Sequence, residues 1–358
     1  MSSRLFTPIT LAGLELRNRI VVSPMCQYSA AAGCASDWHL MHLGQYAVSG
    51  AGLLIMEMTN VQANGRISPG CMGLYNDDNE QALRPVLDFV NRHGNVPFGI
   101  QLAHAGRKAS CAPPWLGRGQ LTLEAGGWQT VAPSPLAFGV DERPPRALEA
   151  EEIEALVVDF ARAAGRAERL GIAAIELHAA HGYLLHQFLS PLSNRRQDQY
   201  GGSLENRMRL PLAVFDAVRA VWPESKPLGV RVSASDGAQG GWDVEQTIEF
   251  ARALKARGCD WIDVSSGGLV RHQSIVAGPG YQVPLARQVR RASGLATMAV
   301  GMITEARQAE QILAGGHADM VALARGMLWD PHWAWHAAQV LGEMDKAIMP
   351  NQYLRCVP

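Results

Sequence analysis

The sequence predicts an α/β fold of one class, a (β/α)8 barrel in which eight parallel strands alternate with eight helices. Eight short apolar runs are each followed by a longer segment with helical periodicity. Glycine-containing turns such as SGAGLL and ARGCDWIDV precede several of the runs, where glycine suits the end of a helix. No G-x-G-x-x-G motif opens a helical segment, which disfavours the rival fold, a doubly wound open sheet that binds a dinucleotide.

Each predicted barrel strand is a run of six to eight mostly apolar residues, as expected for strands that are covered on both faces. In chain order these strands are 19–25, 52–59, 96–102, 173–178, 227–234, 261–267, 295–301 and 320–325. The predicted helices are 39–50, 79–93, 150–170, 203–222, 243–257, 283–293, 304–315 and 331–342. Strict alternation implies a parallel sheet with right-handed crossovers, and eight units favour closure into a barrel.

Two segments lie outside this repeat. Residues 1–18 predict a hairpin that precedes the first barrel strand and covers the bottom of the barrel. The segment 103–149 is rich in glycine, proline and tryptophan and is too long for a plain connection. It follows the third strand on the active-site side, where its tryptophans form either a substrate lid or a cover for the barrel. We predict that residues 1–358 form a single domain.

The composition narrows the functional classes. The chain is 47% hydrophobic with a formal net charge of -1, which supports a sizeable core and gives no electrostatic footprint for nucleic acid or anionic membranes. No apolar run approaches the ~20 residues of a membrane span, and the N-terminus lacks a signal-peptide pattern, so we expect a cytoplasmic protein. The six cysteines show no C-x-x-C spacing, which argues against a disulfide framework or a zinc site.

Catalytic groups of this fold stand at the carboxyl ends of the strands and on the loops that follow them. These positions hold a set that is polar but short of acids: Ser23, Pro24, Met25, Cys26, Tyr28, Thr59, Gln101, His104, His178, His181, Tyr183, Arg231, Ser265, Ser266, Gly267, Gly268, Gly301 and Arg325. Within it, glutamine can match the edge of a planar cofactor, arginine can hold negative charge, and the glycines after strands seven and eight suit a phosphate.

The stretch IELHAAHGYLLHQFLSP places His178, His181 and Tyr183 together at one strand end. Imidazole N–H groups with this spacing can converge on a carbonyl oxygen and polarise it, while a phenol delivers a proton to the adjacent carbon. The alternative is a pair of structural histidines, which is the better interpretation for a lone histidine but a weaker one for three polar groups together.

Two other chemistries fit the strand ends less well. A metal-dependent hydrolase needs more ligands than His178 and His181 supply, and we expect Glu176 to point to the opposite side of its strand. A Schiff-base aldolase needs a lysine at a strand end, whereas the four lysines fall in predicted loops or helices. We predict no metal, and a metal-dependent hydrolase or another non-flavin barrel remains the alternative from a different class.

The ordered motifs resemble the old yellow enzyme family of FMN-dependent ene-reductases, in particular its thermophilic-like bacterial branch. The resemblance spans essentially the whole chain and includes LFTPITLAGLELRNRIVVSPMCQYS, IQLAHAGRKAS, IELHAAHGYLLHQFLSPLSNRRQDQYGGSLENRMR and IDVSSGGLV. It implies a noncovalent FMN that NADPH or NADH reduces and that passes hydride to the β-carbon of an α,β-unsaturated carbonyl or nitro compound. Both substrates would use one pocket in turn, in ping-pong fashion, so no Rossmann domain is needed.

The resemblance also implies the cofactor contacts. In it, Gln101 meets the pyrimidine edge of the flavin, and Arg231 lies near flavin N1 and O2. The full set of FMN contacts that it implies is Ser23, Pro24, Met25, Cys26, Met58, Gln101, Arg231, Gly301, Met302, Ala324 and Arg325, of which the last four bind the phosphate. Two of these positions depart from the branch, because Met58 replaces a small residue and Ala324 replaces a glycine.

For the substrate, the resemblance implies that His178 and His181 bind the carbonyl oxygen and that Tyr183 supplies the α-proton. Tyr28 and Cys26 complete the pocket, Tyr28 as a further hydrogen-bond donor.

The resemblance further implies a homodimer or homotetramer. In QYLRCVP, Arg355 matches an arginine that enters the active site of the neighbouring subunit. The alternative for Arg355 is a solvated chain end.

Overall fold

Eight parallel strands close into a barrel in the computed structural model, which describes residues 3–117 and 119–357. In chain order the strands are β1 (Ile9–Leu11), β2 (Leu14–Leu16), β3 (Ile20–Val22), β4 (Leu53–Asn60), β5 (Phe98–Ala103), β6 (Val131–Ala132), β7 (Arg146–Ala147), β8 (Ala174–Ala179), β9 (Leu228–Ser233), β10 (Trp261–Ser265), β11 (Ala296–Val300) and β12 (Met320–Leu323). The barrel closes where β12 pairs with β3, and it excludes only β1, β2, β6 and β7. The predicted fold class and all eight predicted barrel strands are confirmed.

Helices surround this barrel. They are α1 (Asp37–Ala47), α2 (Asp77–His93), α3 (Ala150–Arg169), α4 (Leu184–Leu189), α5 (Leu204–Val221), α6 (Val244–Lys255), α7 (Val283–Ser293), α8 (Ala306–Ala314), α9 (Arg325–Trp329) and α10 (Trp333–Leu341). Each of the eight predicted helices is present, whereas α4 and α9 were not predicted because they are too short to show a helical period. None of the helices in residues 3–117 and 119–357 combines the length and the apolar character needed to cross a membrane.

The bottom of the barrel is filled by side chains from the predicted N-terminal hairpin. Leu11 of β1 and Leu16 of β2 pack in one apolar cluster with Trp261 and Met298. Gly229 allows the indole to lie close to the neighbouring strand, because a Cβ at this position would lie 2.0 Å from the Trp261 ring. The predicted cover is therefore present, and the opposite end of the barrel is left for the site.

A β-bulge in β4 shapes that opposite end. The pairing between β4 and β5 shifts between Met56 and Met58, which leaves Glu57 out of the ladder. Glu57 is buried next to His39, whose Nε2 lies 3.3 Å from its Oε1. The bulge directs the Met58 side chain toward a small apolar cluster at the carboxyl end of the barrel. Cys71 belongs to the same cluster.

The long excursion after β5 lies on the active-site side, as predicted. It contains β6, β7 and two short 3-10 turns, at Gly106–Lys108 and Pro114–Leu116. It is tied to the segment after β8, where the N–H of Leu184 donates to the carbonyl of His104 at 2.9 Å. The excursion therefore stands beside the histidine-rich strand end.

Candidate active site

Two adjoining cavities open at the carboxyl end of the barrel. The smaller, of about 400 Å³, lies over the ends of β3, β4, β5 and β8. The larger, of about 740 Å³, lies over the ends of β11 and β12 and the start of α9. His181, Arg231 and Ala324 line both cavities, so the two form one elongated site.

Nearly all of the predicted site residues line these cavities. Besides the three shared residues, the smaller cavity is lined by Ser23, Pro24, Cys26, Tyr28, Met58, Gln101, His178 and Tyr183. The larger cavity is lined by Gly301, Met302 and Arg325. Within the part of the chain that the structure describes, no three His, Cys, Asp or Glu side chains are grouped to hold a metal ion.

Two predicted residues lie outside both cavities. The Met25 side chain packs against the main core and lines a separate small gap beside His42 and Tyr46. Its side chain turns toward the core at the end of β3 and therefore does not line either cavity. Arg355 is exposed on the 3-10 turn Asn351–Cys356. Its predicted site belongs to a neighbouring subunit, so a single chain does not contain that contact.

The strand end after β8 brings three rings together. The His178 ring lies 5.1 Å from that of His181 and 5.0 Å from that of Tyr183, centroid to centroid, with both pairs edge to face. His181 has a positive φ of 57°, and its N–H donates to Ser233 Oγ at 2.9 Å. The predicted grouping of two imidazoles and one phenol therefore exists in the folded chain.

Burial sets the protonation of these groups. Desolvation, reinforced by the Arg231 charge, holds the pKa values of His178 and His181 well below the ordinary histidine value, so both rings are neutral at neutral pH. Desolvation also raises the pKa of Tyr183 well above its ordinary value, and it does the same for the Cys26 thiol. The site therefore presents neutral hydrogen-bond donors and a phenol that keeps its proton.

Hydrogen bonds indicate which nitrogens carry the imidazole protons. The N–H of Ala180 donates to His178 Nδ1 at 3.2 Å, which places the proton of this neutral ring on Nε2. His181 Nε2 lies 2.7 Å from Ser265 Oγ. The single hydroxyl proton of Ser265 can go to His181 Nε2 or to Gln282 Oε1, which lies 3.2 Å away, and the His181 tautomer follows from that choice. The His178 ring therefore keeps its Nε2–H for a ligand.

Two buried acids lie beneath the smaller cavity. Gln101 Nε2 donates to Glu176 Oε1 at 2.7 Å, and Arg231 Nε lies 3.1 Å from Asp263 Oδ2. Our prediction that Glu176 points to the opposite side of its strand is wrong. Glu176 and His178 are two residues apart and therefore share a face of the strand. Burial, reinforced by the neighbouring Asp263, raises the pKa of Glu176 above its ordinary value.

The excursion contributes Lys108, which had no predicted role, and Trp115, for which two roles were open. Lys108 donates from Nζ to the carbonyl of His181 at 2.7 Å and to that of Gly268 at 2.9 Å. Its position a few residues after β5 is the signal that could have found it. Trp115 lines the smaller cavity, where its ring lies 5.8 Å from that of Tyr28, and it is 66% exposed. Trp115 thus lies at the mouth of the smaller cavity.

His186 and Asp236, which the sequence did not single out, hold the turn at Gly182, between His181 and Tyr183. The N–H of Gly182 donates to His186 Nδ1 at 2.9 Å, and His186 Nε2 lies 2.8 Å from Asp236 Oδ1. Because Nδ1 accepts from Gly182, Nε2 is the ring nitrogen that donates to the carboxylate. Burial alone would raise the pKa of Asp236, but hydrogen bonds from His186, Ser190 and the Trp242 N–H hold it below the ordinary value.

Comparison with known proteins decides the family. Residues 4–343 match the NADH:flavin oxidoreductase / NADH oxidase family. An NADPH dehydrogenase of Listeria innocua is 46% identical over 355 residues, which cover 99% of both chains. An NADPH dehydrogenase of a Geobacillus species is 45% identical over 344 residues, which cover 96% of both. The chain belongs to the NADH:flavin oxidoreductase / NADH oxidase family.

Solved structures agree with this family. A morphinone reductase mutant in complex with tetrahydroNAD is 30% identical, with a TM-score of 0.76 over 95% of this chain and 91% of that one. A 2-naphthoyl-CoA reductase shares the fold with a TM-score of 0.86, at 23% identity over 97% of this chain and 53% of that one. The predicted resemblance to the old yellow enzyme family is confirmed. The chain is an oxidoreductase of this type, with FMN as cofactor and a nicotinamide nucleotide as reductant.

The Asp236→Asn variant tests whether the Asp236 carboxylate, through its hydrogen bond with His186, stabilises the turn at Gly182. We expect its free energy of unfolding to fall by about 1–3 kcal/mol at neutral pH, because a buried hydrogen-bonded carboxylate is lost. The folded pKa of Asp236 lies below the unfolded value of about 3.9, so the carboxylate stabilises the fold above that value. This contribution disappears as the pH falls through the folded pKa. Urea unfolding of both proteins from about pH 3 to 7 checks this.

The difference in stability between wild type and Asp236→Asn should therefore shrink at acid pH. A difference that stays constant across the range would contradict the assignment. Asp88→Asn is the control, since Asp88 is exposed on α2, and it should change stability by less than about 0.5 kcal/mol.

Proposed function

We propose that this enzyme is an ene-reductase that uses NADPH or NADH to reduce the C=C bond of an α,β-unsaturated carbonyl or nitro compound. The observation that carries the proposal is the grouping of His178, His181 and Tyr183 at one cavity, with two neutral imidazoles and a protonated phenol. The NADPH dehydrogenase relatives and the morphinone reductase structure support a nicotinamide reductant and a reducible organic substrate.

The cavity walls fit FMN. Gln101 presents an amide that can pair with a pyrimidine edge, and Arg231 brings a buried positive charge to the junction of the two cavities. Gly301 has a φ of 120°, and a Cβ there would lie 2.6 Å from Gln282 Nε2, so backbone forms that part of the wall. The N–H groups at the start of α9 beside Arg325 suit a phosphate.

We assign the FMN contacts to the residues that this fit and the family resemblance indicate. They are Ser23, Pro24, the backbone of Met25, Cys26, Met58, Gln101, Arg231, Gly301, Met302, Ala324 and Arg325. When bound, FMN supplies two-electron chemistry, accepting hydride from the nicotinamide nucleotide and giving hydride to the β-carbon of the substrate.

The two histidines bind the oxygen of the substrate. His178 donates from Nε2 and His181 from Nδ1, so two N–H groups meet one carbonyl or nitro oxygen. These hydrogen bonds withdraw electron density from the β-carbon and stabilise the negative charge that develops on the oxygen. Neutral imidazoles are sufficient for this hydrogen bonding, because each one still carries an N–H donor.

Tyr183 supplies the second hydrogen as a proton. Its phenol holds the proton at Oη until the α-carbon becomes basic, gives it to that carbon, and takes a replacement from solvent. Cys26 and Tyr28 form the neighbouring wall, and Trp115 closes the outer side. The pocket therefore favours flat substrates that fit between the cavity floor and an aromatic lid.

We also propose that Arg355 completes this pocket in a neighbouring subunit of a homodimer or homotetramer. Tyr353 packs edge-on against Trp335 and His332, which anchors the terminal turn while Arg355 stays exposed. An exposed arginine on an anchored turn is placed to reach a second chain.

The visible spectrum during anaerobic addition of NADPH, followed by 2-cyclohexen-1-one, tests the proposed function. The flavin band should bleach with NADPH and return with the enone. A reduced flavin that the enone leaves untouched would show that the histidine and tyrosine cluster does not reduce activated C=C bonds.

The Tyr183→Phe variant tests the proton donor. We expect reduction of the flavin by NADPH to persist, whereas the step with enone slows by roughly 10²–10⁴-fold because the proton source is lost. Stopped-flow measurement of each half-reaction separates the two effects. Tyr200→Phe, outside both cavities, is the matched control, and equal enone rates in wild type and Tyr183→Phe would remove Tyr183 from this role.

Mixing of two variants tests Arg355. Arg355→Ala should raise the KM for the enone, because a positive group at the pocket is lost. In hybrids with Tyr183→Phe subunits, a site with its own Tyr183 receives Arg355 from the other chain, so activity should rise above the mean of the two variants. Activity equal to that mean would show that Arg355 does not act across subunits.

A further inference from the structure

Lys108 joins three loops around the proposed proton donor. It ends the 3-10 turn Gly106–Lys108 that follows β5. Its Nζ donates to the carbonyl of His181 after β8, at 2.7 Å, and to the carbonyl of Gly268 after β10, at 2.9 Å. These carbonyls are neutral, so they solvate the ammonium without neutralising its charge.

The same ammonium lies over two aromatic rings. Lys108 Nζ is 5.2 Å from the ring centroid of Tyr183 and 4.6 Å from that of Phe138. Desolvation, reinforced by the charge of Arg107, lowers the pKa of Lys108 to about 8, so the side chain is mostly charged at neutral pH. A charged amine in contact with a phenol ring is an arrangement that favours the ionised phenol.

We propose that Lys108 is a positioning residue for proton donation, holding the His181 turn and stabilising the phenolate that Tyr183 becomes when its proton moves to the α-carbon. This inference rests on the proposed function. In the step, the O–H bond of Tyr183 breaks, a C–H bond forms at the α-carbon, and the phenolate then takes a proton from solvent. No further oxidant or reductant is involved.

The surroundings of Tyr183 explain why such a cation matters. Desolvation opposes the phenolate. The neutral His178 ring packs against the phenol edge-on and adds no charge. Lys108 itself faces Arg107, Arg271, Cys111 and Glu142. The positive charge over the ring therefore acts against a strongly unfavourable environment for the phenolate.

Three substitutions separate the two roles of Lys108. Lys108→Gln keeps an N–H donor for the two carbonyls but removes the charge, Lys108→Arg keeps the charge, and Lys108→Met removes both. Lys226→Gln is the matched control, because Lys226 Nζ lies 5.0 Å from the Trp222 ring just before β9, at the opposite end of the barrel.

The direct measurement is the ionisation of the phenol at position 183. A fluorinated tyrosine, which is more acidic than tyrosine, is incorporated there in the FMN-loaded enzyme and titrated by ¹⁹F NMR. We expect Lys108→Gln to raise its pKa by about one unit or more. Lys108→Arg should restore most of the wild-type value, and Lys226→Gln should leave it unchanged. No shift in Lys108→Gln, or an equal shift in Lys226→Gln, overturns the proposal.

Kinetics provide the second readout. The enone step of Lys108→Gln should slow by roughly tenfold at neutral pH, and Lys108→Arg should recover most of the rate. Lys108→Met should slow it further, because the His181 turn is released as well. An enone step in Lys108→Gln as fast as in wild type contradicts the proposal even if the pKa shift is present.

Failure of the proposed function and failure of the role of Lys108 give different experimental results. The fluorine titration needs no enone turnover, so a normal pKa shift in an enzyme that reduces no enone would sink the proposed function while the coupling between Lys108 and Tyr183 stands. Enone reduction without the pKa shift would sink the role of Lys108 alone. If Lys108→Gln does not fold, Lys108→Arg with its retained charge must give a near-wild-type titration, and a large shift there overturns the proposal.

Discussion

The site depends on one turn, residues 180–183, held in a conformation that the chain rarely adopts. His181 and Gly182 both have positive φ, and a Cβ on Gly182 would lie 2.2 Å from the carbonyl oxygen of Gly268. A conformation of this kind persists only when its surroundings impose it. The Ser233 hydroxyl and the His186 ring accept hydrogen bonds from the N–H groups of this turn, and the Lys108 ammonium donates to its carbonyl at His181. These three partners come from β9, from α4 and from the excursion after β5, so the fold as a whole positions the two imidazoles and the phenol.

Burial of that turn also explains its chemistry. The same loss of water lowers the pKa values of His178 and His181 and raises that of Tyr183. Opposite shifts follow from one cause, because burial disfavours the charged form of each group. The imidazoles become donors that do not act as acids, and the phenol becomes the group that holds a transferable proton. A more open site would give the same residues other protonation states.

The sequence predicted the barrel because strand and helix periods repeat along the chain, and the motifs predicted the family and the cavity lining. It did not predict contacts that depend on where loops meet. Lys108 was set aside as a loop lysine, yet its loop folds back onto the turn after β8. The orientation of Glu176 could have been predicted, because it lies two residues before His178 on the same strand. The orientation of the Met25 side chain depends on the path of the chain after β3, which the sequence does not show. The helices α4 and α9 were too short to leave a period.

Buried Arg231 and half-buried Lys108 are both cations near the site residues, and they are compensated differently. Arg231 lies beneath the cavity within reach of the Asp263 carboxylate, whereas Lys108 lies beside Tyr183 and is held by carbonyls and aromatic faces. The Asp263 carboxylate therefore partly cancels the electric field of Arg231. The carbonyls around Lys108 carry no net charge, so its electric field acts on the neighbouring groups. Both charges lower the pKa values of the two histidines. Charges that favour an anionic oxygen or a phenolate thus also keep the imidazoles neutral. With neutral imidazoles, the phenol is the group to which we assign proton donation.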